Sequence, residues 1–187
     1  GGDPVCGENL PWTFQEVRGM EVLLDDLPAC FVNRINLKEI TGRIDGQLGS
    51  DGKFQEDLKN KCCTKDAFAI TSFEFGKIGF CGDSYKIQLE GQKTTHELTH
   101  AYQGGDMTSK NVYSSPTVSK FMAETGWLSC LPVVGCFPVP SDTATDYGKT
   151  NPLEDMAEST RLYYENPNLL KERSVRRYNF VRRRGKS

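Results

Sequence analysis

Residues 93–105 read KTTHELTHAYQGG, and both histidines of the chain, His96 and His100, lie in this stretch with Glu97 beside the first. Residues 92–103 contain no proline or glycine, and Gly104-Gly105 supplies a C-terminal stop, so the stretch is expected to be helical. On a helix His96 and His100 project from one face about 6 Å apart, which lets two imidazole nitrogens reach one tetrahedral metal. Glu97 stands about 100° round the helix from His96, where it can approach a water held by the metal without ligating the metal itself. Catalytic zinc keeps three protein ligands and an open position for that water, and a neighbouring carboxylate can take its proton. Two histidines and a glutamate at this spacing are the parts of metal-assisted hydrolysis.

A third ligand has to come from elsewhere. No histidine remains and the cysteines are expected to be engaged in crosslinks, which leaves Asp or Glu. The stretch YGKTNPLEDMAES, residues 147–159, places Glu154 and Glu158 one turn apart on a helix capped by Asn151 with Pro152 in its first turn. Glu154, Asp155 and Glu158 repel one another, but acids in a first helical turn meet the favourable end of the helix dipole. On spacing alone Glu154 also reads as an ordinary N-terminal acid, and Glu158 as a partner for Arg161 on an exposed face.

Around these motifs the chain has the content of one domain, residues 1–187, without repeats or an interdomain linker. It is 37% hydrophobic and 26% charged, ordinary for a soluble globular protein and wrong for a disordered one. No apolar run approaches the roughly 18 residues of a membrane span. Residues 12–27 put Val17, Met20, Leu24 and Leu27 on one helical face, stopped by Pro28. Strand-like segments follow at 35–40, 67–75 and 85–90, the last alternating Tyr85, Ile87 and Leu89 on one face. Residues 43–66 read as a loop. A helix is expected at 115–127, a loop at 128–146, the capped helix from 151, and a last helix from 168 to 183 after Pro167. Helix, strands, then helices suggest an α+β domain with a twisted mixed sheet packed on an active-site helix and a helical C-terminal part.

Seven cysteines (Cys6, Cys30, Cys62, Cys63, Cys81, Cys130 and Cys136) form no CxxC pair, which speaks against a zinc knuckle. They fit a secreted protein with up to three disulfides and one leftover thiol, Cys130 and Cys136 bracketing a small loop. The opening GGDPVCGEN carries no signal peptide and reads as a mature end. Residues 171–187 hold eight Lys or Arg against Glu172 alone, so a basic C-terminal helix and tail sits on an acidic body. A solvated, fraying helix is the expectation there, with a polyanion, a membrane surface or an acidic partner as alternatives.

HELTHAYQ followed by YGKTNPLEDMAES resembles the anthrax lethal factor-like zinc metallopeptidase domain, a gluzincin group that includes the clostridial Pro-Pro endopeptidases. The likeness covers roughly residues 85–165. It implies a zincin-like fold, with His96, His100 and Glu154 as ligands of one catalytic zinc ion, Glu97 as general base and Tyr147, seven residues before Glu154, as electrophile. Glu158 would hold a ligand histidine in place, or could itself be the ligand instead. Tyr85, Ile87 and Leu89 would form the edge strand against which an extended peptide lies. The loop with Cys130 and Cys136 is longer than in the family, and the paired cysteines are not part of its pattern. The expected activity is that of a secreted, extracellular zinc endopeptidase acting on a peptide or protein substrate, with no nucleic-acid partner and no transmembrane segment. Two rival readings remain. One is an aspzincin with an aspartate ligand, although the required position holds Ala144 and both Asp142 and Asp146 miss it. The other is a non-catalytic, disulfide-rich binding or toxin module with a structural zinc.

Overall fold

Caps and breakers decide where the helices of this chain begin and end. In the computed structural model the described residues are 14–33, 35, 39–44, 69–72, 77–81, 92–107, 111–131 and 135–184. Within them α1 spans Phe14–Asp26, α2 Ala29–Val32, α3 Gln92–Gln103, α4 Pro116–Thr125, α5 Pro152–Glu165, α6 Pro167–Arg173 and α7 Val175–Arg184. Ser115 caps α4 by accepting from the Val118 N–H, and Gly126 closes it at φ 91°, a left-handed conformation that favours glycine. Asn151 caps α5 with one side-chain oxygen that accepts from the N–H groups of Leu153 and Glu154 at 2.9 and 3.0 Å. Pro152 takes the first helical position, where its missing N–H costs nothing.

The expected zincin-like α+β domain, built on a twisted mixed sheet over the active-site helix, is overturned. The described residues are predominantly helical, and strands are confined to short pieces. These pieces are β1 Glu39–Ile44, β2 Ala69–Ser72 and β3 Lys77–Cys81, paired in the order β1-β3-β2, and a hairpin of three-residue strands, β4 Ser129–Leu131 and β5 Gly135–Phe137. Of residues 35–40, Glu39 and Ile40 open β1, and of 67–75 Ala69–Ser72 form β2. Residues 85–90 lie outside the described residues, as do most of 43–66. The reason for the discrepancy is physical. β-Branched and aromatic content reports fitness for a half-buried pleated surface, and it says little about which surface the chain builds its core from. Here the cover over α3 comes chiefly from α5.

One buried cluster joins Met20, Leu27 and Phe31 to Leu98, Ala101 and Tyr102 of α3, Val118 and Phe121 of α4, Leu153 and Met156 of α5, and Phe180 and Val181 of α7. Phe121 and Phe180 meet edge to face at 5.1 Å, and Phe31 stacks on Tyr102 at 4.9 Å. On α1 only part of the expected apolar face is covered, since Met20 is buried but Val17 is exposed. The helix expected over 168–183 is two helices, split at Ser174. The Ser174 hydroxyl donates to Asp142 at 2.8 Å and accepts from the Arg177 N–H at 3.3 Å, so it acts as a cap inside the basic segment. Cys130 and Cys136 face each other in the hairpin register, and Cys136 is disulfide-bonded, whereas Cys30 is a free thiol.

The basic segment is not uniformly solvated. Lys171, Arg173, Arg176, Arg182 and Arg183 are exposed, but Arg177 is 0% exposed and pairs with Asp155, also 0% exposed, at 2.5 Å. Asp155 further accepts from the Trp127 indole N–H at 2.7 Å and from the Ala144 N–H at 3.1 Å. Arg177 reaches Asp142 at 3.0 Å as well. Both charges are therefore paired and hydrogen-bonded, the condition under which burial is tolerated. Replacing Asp155 with Ala leaves the buried Arg177 guanidinium with only the half-buried Asp142 as a carboxylate partner. We expect a loss of about 3–5 kcal/mol in urea unfolding.

Candidate metal centre

Helix α3 packs along α5, and this contact brings the two motifs together. His96 Nε2 lies 3.0 Å and His100 Nε2 3.3 Å from Glu154 Oε2, and the two Nε2 atoms are 3.1 Å apart. One ligand atom from each of the three residues falls within 4.8 Å of the others, a set able to hold a metal ion. Both rings are buried, and Glu154 is half-buried.

The far side of each ring is also fixed. His96 Nδ1 is 2.9 Å from Glu158 Oε1, and a carboxylate oxygen can only accept, so Nδ1 carries a proton, while Nε2 faces Glu154 Oε2 at 3.0 Å. His100 Nδ1 is 2.9 Å from the side-chain oxygen of Gln103. Glu158 itself accepts from Arg161 Nε and Nη2, both at 3.0 Å, and from the Thr145 hydroxyl at 2.7 Å. Glu158 thus contacts both His96 and Arg161.

The electrostatics follow from this packing. Burial alone would raise the Glu154 carboxyl, but hydrogen bonds from His100 and His96 outweigh it and hold the group well below the usual carboxylate range. Burial likewise opposes ionisation of Glu158, yet its bonds to His96, Arg161 and Thr145 bring it down to about 2. For His96 burial acts to lower the pKa, and the bonds to Glu154 and Glu158 with the charge of Glu97 reverse this, raising it to about 9. The protonated cation is thus what the surrounding carboxylates favour when no other cation is near.

Tyr147 begins the 3₁₀ turn Tyr147–Thr150, with its ring 6.0 Å from that of His96 and 57% of the residue exposed. Burial of the hydroxyl and then the charges of Glu154, Glu97 and Glu158 push its pKa up to about 12, so it stays a donor at neutral pH. The turn is pinned from two sides. The Gly148 N–H donates to Thr145 Oγ1 at 3.1 Å, and a Cβ on Gly148 would stand 3.2 Å from the Asp155 backbone. Glu97, half-buried on α3, is close enough for its charge to act on both His96 and Tyr147. Tyr85, Ile87 and Leu89, the expected substrate edge, lie outside the described residues.

The aspartates of the rival reading stand elsewhere. Asp142 is held by Ser174, Arg176 and Arg177, and Asp146 is exposed beside Lys149. Gln103 and Thr145 join the site without having been expected from the sequence. The first stands three residues after His100 and was readable from helical spacing. The second contacts Glu158 through tertiary packing and left no local signal. Comparison with known protein families, curated proteins and solved structures gives no match to this chain.

Glu154→Ala should abolish the visible absorption of added cobalt(II), while Asp142→Ala should keep it. Glu158→Ala should weaken metal affinity about 10–100-fold in a chelator competition, as expected when a ligand imidazole loses its anchor.

Proposed function

We propose that this chain is a zinc-dependent endopeptidase, acting outside the cytoplasm, with His96, His100 and Glu154 as ligands of one zinc ion and Glu97 as general base. The observation that carries the reading is the convergence of His96 Nε2, His100 Nε2 and Glu154 Oε2, with Nδ1 of each ring turned to a separate partner. The donor set fits the group: two imidazole nitrogens and a carboxylate oxygen are the ligands of open catalytic zinc sites. The residues match those that likeness to the lethal factor-like peptidases implies. The proposal rests on them and not on the fold. The disulfide at Cys136 supports an oxidising compartment.

When bound, zinc supplies Lewis acidity and lowers the pKa of a water it holds to about 7. Glu97 takes a proton from the attacking water as its oxygen adds to the peptide carbonyl carbon, then delivers that proton to the departing amine nitrogen as the C–N bond breaks. Tyr147, exposed at the edge of the site and protonated, donates a hydrogen bond to the carbonyl oxygen as negative charge develops there. Glu158, Thr145 and Arg161 hold His96 and the Tyr147 turn in register with each other. The half-exposed tyrosine favours catalysis over a closed structural site, which would have no use for Glu97.

Glu97→Gln should retain one equivalent of zinc and lose about 10²–10⁴-fold in turnover on a peptide library. Tyr147→Phe should keep zinc and KM and lower kcat by about 10²-fold. A peptidase rate insensitive to chelation and unchanged in the Glu97→Gln protein would refute the assignment.

A further inference from the structure

Gln103 is 0% exposed, and both ends of its amide are engaged. Its Nε2 donates to the backbone carbonyl of Leu153 at 2.8 Å, and its Oε1 lies 2.9 Å from His100 Nδ1. The direction of this chain of bonds is set at one end. A peptide carbonyl only accepts, so the amide nitrogen must face Leu153 and the amide oxygen must face His100. An amide oxygen only accepts as well, so the proton of the ring must sit on Nδ1, and Nε2 is the nitrogen that faces Glu154 and His96. Leu153 is the residue immediately before Glu154. A single side chain therefore touches the ring of one proposed ligand and the backbone next to another, on two different helices.

We infer that Gln103 is a positioning residue that fixes the tautomer and ring plane of His100 and ties α3 to the ligand-bearing first turn of α5. The inference rests on the metal reading proposed above. It predicts an asymmetry between the two imidazoles: His96 is backed by an anionic carboxylate and His100 by a neutral amide. A carboxylate at 103 would keep an acceptor for the ring but turn a second acceptor toward the Leu153 carbonyl. The neutral amide alone satisfies both neighbours without adding another negative charge beside Glu154.

The test uses the full chain and compares Gln103→Met, close in length and without either hydrogen bond, with the parent protein. Both are first checked for folding by circular dichroism without metal. Zinc affinity by chelator competition should fall about 10–100-fold in Gln103→Met. At saturating cobalt(II) its visible absorption bands should also shift, because the ring can no longer hold its orientation; a purely structural role would leave the spectrum of the loaded site unchanged. As a second measurement, independent of any variant, long-range ¹⁵N–¹H spectra of the zinc-loaded parent should show the His100 proton on Nδ1. A folded Gln103→Met protein with parental zinc affinity and parental cobalt spectrum overturns the inference, as does a zinc-loaded parent with the His100 proton on Nε2. A parent protein that binds neither metal marks failure of the underlying metal reading, which is a distinct result.

Discussion

The ion pair between Asp155 and Arg177 is the constraint on which the site depends. Two fully buried charges gain little net stability from one another, because the cost of removing both from water offsets most of their attraction. What the pair does supply is orientation. Asp155 is the neighbour of Glu154, and successive residues on a helix point about 100° apart. Turning Asp155 inward to Arg177, Trp127 and the Ala144 N–H sets the rotation of α5 about its axis. That rotation directs Glu154, and Glu158 one turn later, toward the two histidines of α3. The acidic triplet at the start of α5 thus divides its carboxylates between core and site, and their mutual repulsion is relieved by different cations on each side.

From that frame, hydrogen-bond direction propagates to the candidate ligands. A backbone carbonyl orients Gln103, which orients His100, and a carboxylate held by Arg161 and Thr145 orients His96. Thr145 then accepts from the Gly148 N–H and so connects the same carboxylate to the turn of Tyr147. Each imidazole is left with Nε2 facing the Glu154 oxygen. Through these contacts a change at Asp155 or Thr145 would reach the proposed ligands although neither residue is one of them.

What the sequence disclosed was local. The spacing of His96, Glu97 and His100, the Asn151-Pro152 cap and the position of Glu154 in the first turn of α5 all follow from helical periodicity within a few residues. The contacts of Trp127, Thr145 and Arg177 with α5 span 28, 13 and 22 residues, and no periodicity reports them. Arg177 was hidden more thoroughly still, since it lies in a run of basic residues whose ordinary place is solvent. The sheet was expected for the opposite reason: β-branched and aromatic residues at 35–40 and 67–75 were visible, but among the described residues the surface that buries the site helix is mainly helical.

A single metal ion between His96, His100 and Glu154, as proposed, is tested most directly by X-ray absorption at the zinc edge of the loaded protein. The expected result is a shell of nitrogen and oxygen neighbours at about 2.0–2.1 Å with the outer-shell scattering of two imidazoles and no sulfur. Sulfur neighbours at about 2.3 Å, or a shell without imidazole scattering, would contradict it.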